Sequence, residues 1–196
     1  MLVNRRVADA AAFAVTPDDR RGAALAVEHL VELGHRRIAH LGGPPELSPA
    51  ADRRLGFGAA ISAAGVDDNP SLVAWAETFA EDAGIAPMHT LLNYGGRFTA
   101  IVAANDMLAL DCFDALRAAG LSCPSDVSVI GFNDMPFAER IQPPLTTIRH
   151  SPYEMGRQAA ELLLEQLADP AALPRTVVLS PTLVRRASTS APPRAR

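Results

Sequence analysis

The chain has 196 residues, 48% of them apolar and only 5% aromatic, with a formal charge of −4 at neutral pH. That length holds one large α/β domain or two small lobes, and the apolar share is enough for a real core. The acidic balance excludes the clustered Lys/Arg face that a phosphate backbone requires, so this stretch by itself is not expected to grip DNA.

The first fourteen residues mix Asn4, Arg5, Arg6 and Asp9 into their apolar stretch, and no apolar run approaches membrane-spanning length. Neither a secretion signal nor a spanning helix is expected, and a cytoplasmic location is the default. Residues 12–16 read as a strand end. Residues 18–33 read as an amphipathic helix with Ala24, Val27, Leu30 and Val31 on one stripe and Gly34 as its stop. An apolar strand at 37–41 runs into Gly42-Gly43-Pro44-Pro45, and a helix at 49–64 follows, closed by Gly65.

Residues 72–75 form a short strand and 81–92 a helix that the Gly95-Gly96 pair breaks. The nearly all-apolar strand 99–104 suits a position covered on both faces, and Asn105 and Asp106 cap the helix running to Ala119. Gly120 and Pro124-Ser125-Asp126 turn the chain into a strand at 127–132. After Pro143-Pro144 come an extended segment at 145–149, a helix at 153–167 with Ala159, Leu162, Leu163 and Leu167 inward, and strands at 175–180 and 182–188. The late helix has no sheet of its own nearby in sequence; a right-handed crossover would give it a sheet built by earlier residues, which are expected to be missing here, and the alternative is packing on the first helix. Arg185, Arg186, Arg194 and Arg196 stand among Ser, Thr, Ala and Pro, which reads as a solvated, partly disordered end.

Alternating strands and helices build a parallel sheet, and such sheets bind ligands beyond the carboxyl ends of their strands. The rims so defined carry Ser48, Asp52 and Arg53 after the second strand, Asn105 and Asp106 after the fourth, and Asn133 and Asp134 after the fifth. Asn, Asp and Arg offer paired donors or acceptors that suit the hydroxyls of a sugar or the edge of a nucleobase, and Phe79 or Trp75 can stack on a ring. Helix capping explains Asn105, Asp106 and Asp134 equally well, and a surface arginine explains Arg53. The Gly42-Gly43 pair lacks the other residues of a phosphate loop. His29, His35 and His40 are scattered, and Cys112 and Cys123 have no CxxC spacing; reduced structural thiols, no metal and no cofactor are expected. With no nucleophile and base in register, an enzyme is not expected.

Six ordered motifs carry a resemblance. The segments Val27-Glu28-His29-Leu30 with Leu33-Gly34-His35-Arg36-Arg37-Ile38-Ala39 and Gly42-Gly43-Pro44, then Asp52-Arg53-Arg54-Leu55-Gly56-Phe57, resemble the core of LacI/GalR-type transcription regulators. So do Ala103-Ala104-Asn105-Asp106, the run from Asp126 to Asp134, and Pro143-Pro144-Leu145-Thr146-Thr147-Ile148. The resemblance implies an α/β fold of the type I periplasmic-binding-protein kind, two Rossmann-like lobes, with the C-terminal lobe complete and the N-terminal lobe partial. It implies remnants of the N-terminal lobe at 1–35 and 148–174, the effector lobe at 36–147 and 175–189, and a disordered tail at 190–196.

By position in the resemblance, Arg53 grips a sugar or purine-like effector, Asn105 and Asp106 line the cleft wall, Phe79 stacks, and Asp18 lines the cleft from the other lobe. Asn133 stands where the family usually has Asp. The resemblance further implies a homodimer, and DNA contact only through a helix-turn-helix that is not in this chain. A solute-binding protein of a sugar transporter shares the fold and is the alternative. Two expectations follow: Arg53→Ala abolishes effector binding with folding nearly intact, and the late helix leaves an apolar patch uncovered.

Overall fold

In a computed structural model, which describes residues 1–7, 11–66, 68–94 and 97–193, the chain forms two sheets of unequal size. The expected break at Gly95-Gly96 and the residues Asp9, Arg194 and Arg196 lie outside the described residues. Strands β1 (Leu2–Val3) and β2 (Ala14–Pro17) open the chain, followed by helix α1 (Asp19–Glu32), β3 (Ile38–Gly42) and α2 (Ser48–Ala63). A short 3-10 turn at Pro70–Leu72 leads into β4 (Val73–Trp75), then α3 (Ile85–Tyr94), β5 (Ala100–Ala103) and α4 (Asp106–Ala118). Strands β6 (Ser128–Asn133) and β7 (Thr146–Arg149), helix α5 (Pro152–Ala168), and strands β8 (Thr176–Leu179) and β9 (Thr182–Val184) complete it.

The larger sheet runs β4-β3-β5-β6-β7-β9, parallel throughout except for β9 against β7. The smaller is a parallel β1-β2-β8. Strands β3 and β5 are buried along their whole length because helices cover both faces, which is why β5 reads as an unbroken apolar run and β3 as one interrupted by the buried His40. On one face Leu41, Met88, Leu91, Leu108 and Leu116 pack under α3 and α4; on the other Leu30, Ile38, Phe57 and Ile61 pack under α1 and α2.

Three assignments made from sequence change. Helix α1, read as part of the 1–35 remnant, packs on the larger sheet: Ala23, Ala26, Val27 and Leu30 share a core with Phe57, Val102 and Phe132. Ala24 and Val31 are only half-buried there. Ile148 and Arg149 belong to β7 of the larger sheet, whereas β8, read with the effector lobe, pairs with β2. The lobes therefore exchange chain at three short crossovers, after β2, β7 and β8. The third change is at the carboxyl end. Arg186 donates to the Leu145 carbonyl at 2.8 Å and pairs with Asp134, Arg185 meets Glu32, and Ser190 is held by Ser128 and His35. The chain is tied down through Ser190 because its polar groups find partners on the sheet edge.

Helix α5 packs on the small sheet, not on α1. Phe13, Val15, Met155 and Leu162 form its core. Leu162 is buried, but Leu163, Leu164 and Leu167 are exposed, the last at 69%, so two of the four residues expected inward face solvent. An apolar patch on this face was expected, and Leu163, Leu164 and Leu167 stand exposed there.

Alanine and glycine set the spacing of α1 and α2. A Cβ at Gly56 would stand 2.2 Å from the Arg20 carbonyl oxygen, a backbone atom that cannot swing away. Gly56→Ala should lower unfolding stability by about 1–3 kcal/mol, the usual cost of overpacking, read from denaturant midpoints. His40 lies within this layer, fully buried and stacked on Phe57 at 4.9 Å. Its Nδ1 donates to the Val102 carbonyl at 3.0 Å while Nε2 has no partner among the described residues, and burial pushes its pKa down from 6.5 to about 4. A neutral histidine of this kind contributes stability that is complete above pH 6.5 and is lost as pH falls through 4. The stability of the protein relative to a His40→Leu variant should therefore fall by about 3 kcal/mol between pH 7 and pH 4. Equal pH slopes for the two proteins would refute it.

Candidate functional site

All strands of the larger sheet except β9 point the same way, so β3, β5 and β6 end at one rim, and the ends of β1, β2 and β8 face it. A cavity of about 180 Å³ lies between them, lined by Asn4, Arg5, Leu47, Pro49, Arg53, Phe79, Asn105 and Asn133. Four of the six residues singled out from sequence thus meet there: Arg53, Phe79, Asn105 and Asn133. Asp18 lines an adjoining polar cavity of about 320 Å³ with Arg6, Arg20, Ser48 and Asp52; Arg5 borders both.

Asp106 is not on the cleft wall. It is fully buried under β6, where it accepts hydrogen bonds from the Thr147 hydroxyl at 2.6 Å and the Met135 amide at 2.7 Å. A Cβ at Gly131 would strike its Oδ1, so the carboxyl fills the space that glycine leaves. Burial pushes its pKa up to about 6, with the Thr147 and Met135 hydrogen bonds opposing. It ties β6, β7 and the loop after β6 together.

Arg53 is only 4% exposed. Its Nε donates to Asp19 Oδ1 at 2.7 Å, its Nη1 to the Ala104 carbonyl, and the guanidinium lies 3.8 Å from the centre of the Phe132 ring. Burial raises the Asp19 pKa and Arg53 opposes it. The arginine lines the cavity with Nη2 left without a hydrogen-bond partner among the described residues, and it is held by α1, β6 and the residue after β5 at once. Asn105 caps α4 by accepting from the Leu108 amide at 2.8 Å while its side-chain nitrogen donates to the Phe79 carbonyl at 2.9 Å. It is both cap and cleft wall, and it fixes the loop that carries Phe79.

The Gly42-Gly43 pair is a bed for aromatic rings. A Cβ at Gly43 would meet the Phe79 ring at 2.2 Å, and one at Gly42 the Trp75 ring at 2.5 Å. Phe79 faces the cavity and Trp75 does not; Trp75 stands edge-on to His40 at 6.2 Å. Asn133 and Asp134 both have positive φ, 111° and 57°, a costly backbone that persists only where contacts hold it. Asn133 Oδ1 lies 3.0 Å from His150 Nε2, and Asp134 receives Arg149 at 2.6 Å and Arg186 at 2.7 Å. Burial of the Asp134 carboxyl acts upward on its pKa, and the two arginines outweigh it and hold the pKa below the usual value.

Sequence reasoning missed Asn4 and Arg5. They follow β1, a strand of two residues, too short to show any periodicity. The strand-end rule itself would have found them. Asp19 was hidden beside the cap Asp18, which accepts from the Arg21 amide at 2.9 Å.

The geometry has close counterparts. Residues 27–189 match the family described as periplasmic binding protein-like domain. The regulator GalR of Escherichia coli K12 is 40% identical over 193 residues, which cover 98% of this chain and 56% of GalR. A LacI family transcriptional regulator from Mycobacterium smegmatis superposes with a TM-score of 0.88 at 32% identity, over 96% of this chain and 69% of that one. The chain belongs to the LacI family. A further LacI-family neighbour, the CelR regulator in complex with cellobiose, superposes at a TM-score of 0.91 and 33% identity, over 95% of this chain and 58% of CelR. The chain spans about half the length of the curated relatives it matches, 56% of GalR and 50% of CelR from Thermobifida fusca. Among the described residues no helix is long and apolar enough to cross a membrane.

Because Arg53 holds four elements together, its removal is not confined to binding, contrary to the expectation from sequence. Arg53→Ala should lower stability by about 3–5 kcal/mol by leaving Asp19 buried and unpaired, and Arg53→Ala with Asp19→Ala should recover part of that loss. Denaturant titration of the single and double variants reads both. An additive double variant would mean that the pair carries no coupling.

Proposed function

We propose that this chain is the effector-sensing part of a LacI-type transcription regulator, with a sugar-sized polar molecule as effector. The observation that carries the reading is the cavity in which Arg53, Asn105 and Asn133 present donors and acceptors beside the Phe79 ring. A sugar ring needs that combination, fixed polar groups for its hydroxyls and an aromatic face for its apolar side. Arg53, Asn105, Asn133 and Phe79 are the contact residues, Asp18 borders the entrance, and Asp106 positions the rim from behind. The CelR counterpart holds cellobiose, which supports a saccharide over a purine.

Ligand contact with both rims favours the closed arrangement of the two sheets, and the population shift is the signal. The protein works as a cytoplasmic homodimer and needs no cofactor. DNA contact is made by a helix-turn-helix outside these 196 residues, and no catalytic step is assigned. A transport role for the same fold has less behind it, because the relatives at 33–40% identity are regulators.

Thermal melting against a panel of mono- and disaccharides should show at least one that raises the melting temperature in a saturable way; at 100 times Kd the stabilisation is about 2.7 kcal/mol. Phe79→Ala should weaken that sugar by about 0.5–1.5 kcal/mol in calorimetry, the worth of a ring contact. A panel without a single saturable shift would end the reading.

A further inference from the structure

The 180 Å³ cavity contains two arginines and three asparagines among its eight lining residues, and no carboxylate. The acidic side chains nearby are already engaged. Asp19 holds Arg53 at 2.7 Å, and Asp52 is shared between Arg6 and Arg20, the latter at 2.8 Å. Asp18 has its Oδ1 on the Arg21 amide, and it lines the neighbouring cavity, not this one. Arg5 borders both cavities and enters no ion pair among the described residues.

The charges around the two cavities are Arg5, Arg6, Arg20 and Arg53 against Asp18, Asp19 and Asp52, an excess of one positive charge in a chain whose net charge is −4. That excess stands in a narrow cleft between protein walls, where a charge acts more strongly than on an open surface. One further donor points the same way. The nine-tenths buried Arg53 uses Nε and Nη1 and keeps Nη2 without a partner among the described residues.

From these we infer that the effector is an anionic sugar, a ring carrying one phosphate or carboxylate group, with its oxyanion between Arg5 and the Arg53 Nη2 edge. This rests on the sensor reading above and narrows its ligand class. The ring then lies against Phe79, Asn105 and Asn133. Neutral sugars retain the ring contacts and lose the charged one.

The test is calorimetry on the full chain with hexoses, their 6-phosphates, the matching uronic acids and inorganic phosphate. The inference expects a hexose phosphate or a uronate to bind at least ten-fold more tightly than its neutral hexose, and that advantage to shrink as salt is raised from 50 to 500 mM. Phosphate esters ahead of uronates would assign the dianion, and the reverse order the carboxylate. Arg5→Gln should erase most of the preference and Arg5→Lys should keep most of it, both with unchanged melting temperature in the absence of ligand. A neutral hexose that binds as tightly as its charged forms overturns the anionic assignment and leaves the sensor reading in place. Binding of inorganic phosphate with the same affinity as the hexose phosphate overturns it too, because the ring would then contribute nothing. Failure of every saccharide, charged and neutral, would remove both.

Discussion

The buried pair between Arg53 and Asp19 is the joint on which the cleft depends. Asp19 opens α1, Arg53 lies in the second turn of α2, and the same guanidinium reaches the carbonyl that ends β5 and the ring that lies in β6. Taking such a pair out of water costs several kcal/mol, so it does not persist for stability alone. Its effect is geometric: the one arginine edge left over is held by three fixed contacts, and a ligand that meets it loses little entropy in ordering it. Gly22 and Gly56 make the joint possible, because side chains there would collide with Phe132 and with the Arg20 backbone and lift α1 off the sheet.

A second set of ties lies at the crossovers. Asp134, turned through positive φ, holds Arg149 at the end of β7 and Arg186 just after β9, and Asn133 beside it meets His150. These bonds fasten the start of one crossover to the rim of the cleft. Across the cleft the link is lighter. Arg6 donates its amide to Ser48 at 2.7 Å and its guanidinium to Asp52, from a side chain half open to solvent. Exposed pairs of that kind contribute about 0–1 kcal/mol, so the two sheets are held together by contacts that a ligand can compete with.

How far the sequence was legible follows from which signals are local. Strand ends after apolar runs pointed to Arg53, Asn105 and Asn133, and the structure brings all three to one cavity, because in a parallel sheet such ends lie on one rim. Phe79 and Trp75 were both open as stacking rings until the family resemblance singled out Phe79, and the structure shows why it sits at the cavity: Asn105 holds its carbonyl and Gly43 makes room for the ring. Asp106 was misplaced because the residue after a cap can turn outward or beneath the sheet, and the choice is made by a gap at Gly131, twenty-five positions away. Helix α1 and strand β8 were assigned to the wrong sheets for a related reason. An amphipathic stripe states that a face is buried without stating against what, and two strands separated by Ser180-Pro181 carry no mark of belonging to different sheets.

The two walls of the cleft are built from different parts of the chain. Asn4 and Arg5 follow β1 of the smaller sheet, whereas Arg53, Phe79, Asn105 and Asn133 belong to the larger sheet and the loops and helices around it, with α1, α2, α3 and α4 packed on its two faces. Under the proposed sensor reading, a molecule that touches only the larger sheet's residues meets groups already held in place by Asp19, the Ala104 carbonyl and the Leu108 amide. One that also reaches Arg5 bridges the two sheets, so its binding energy is coupled to their relative position. In that reading the larger sheet's contacts set what fits, and the two residues after β1 set whether fitting is felt elsewhere.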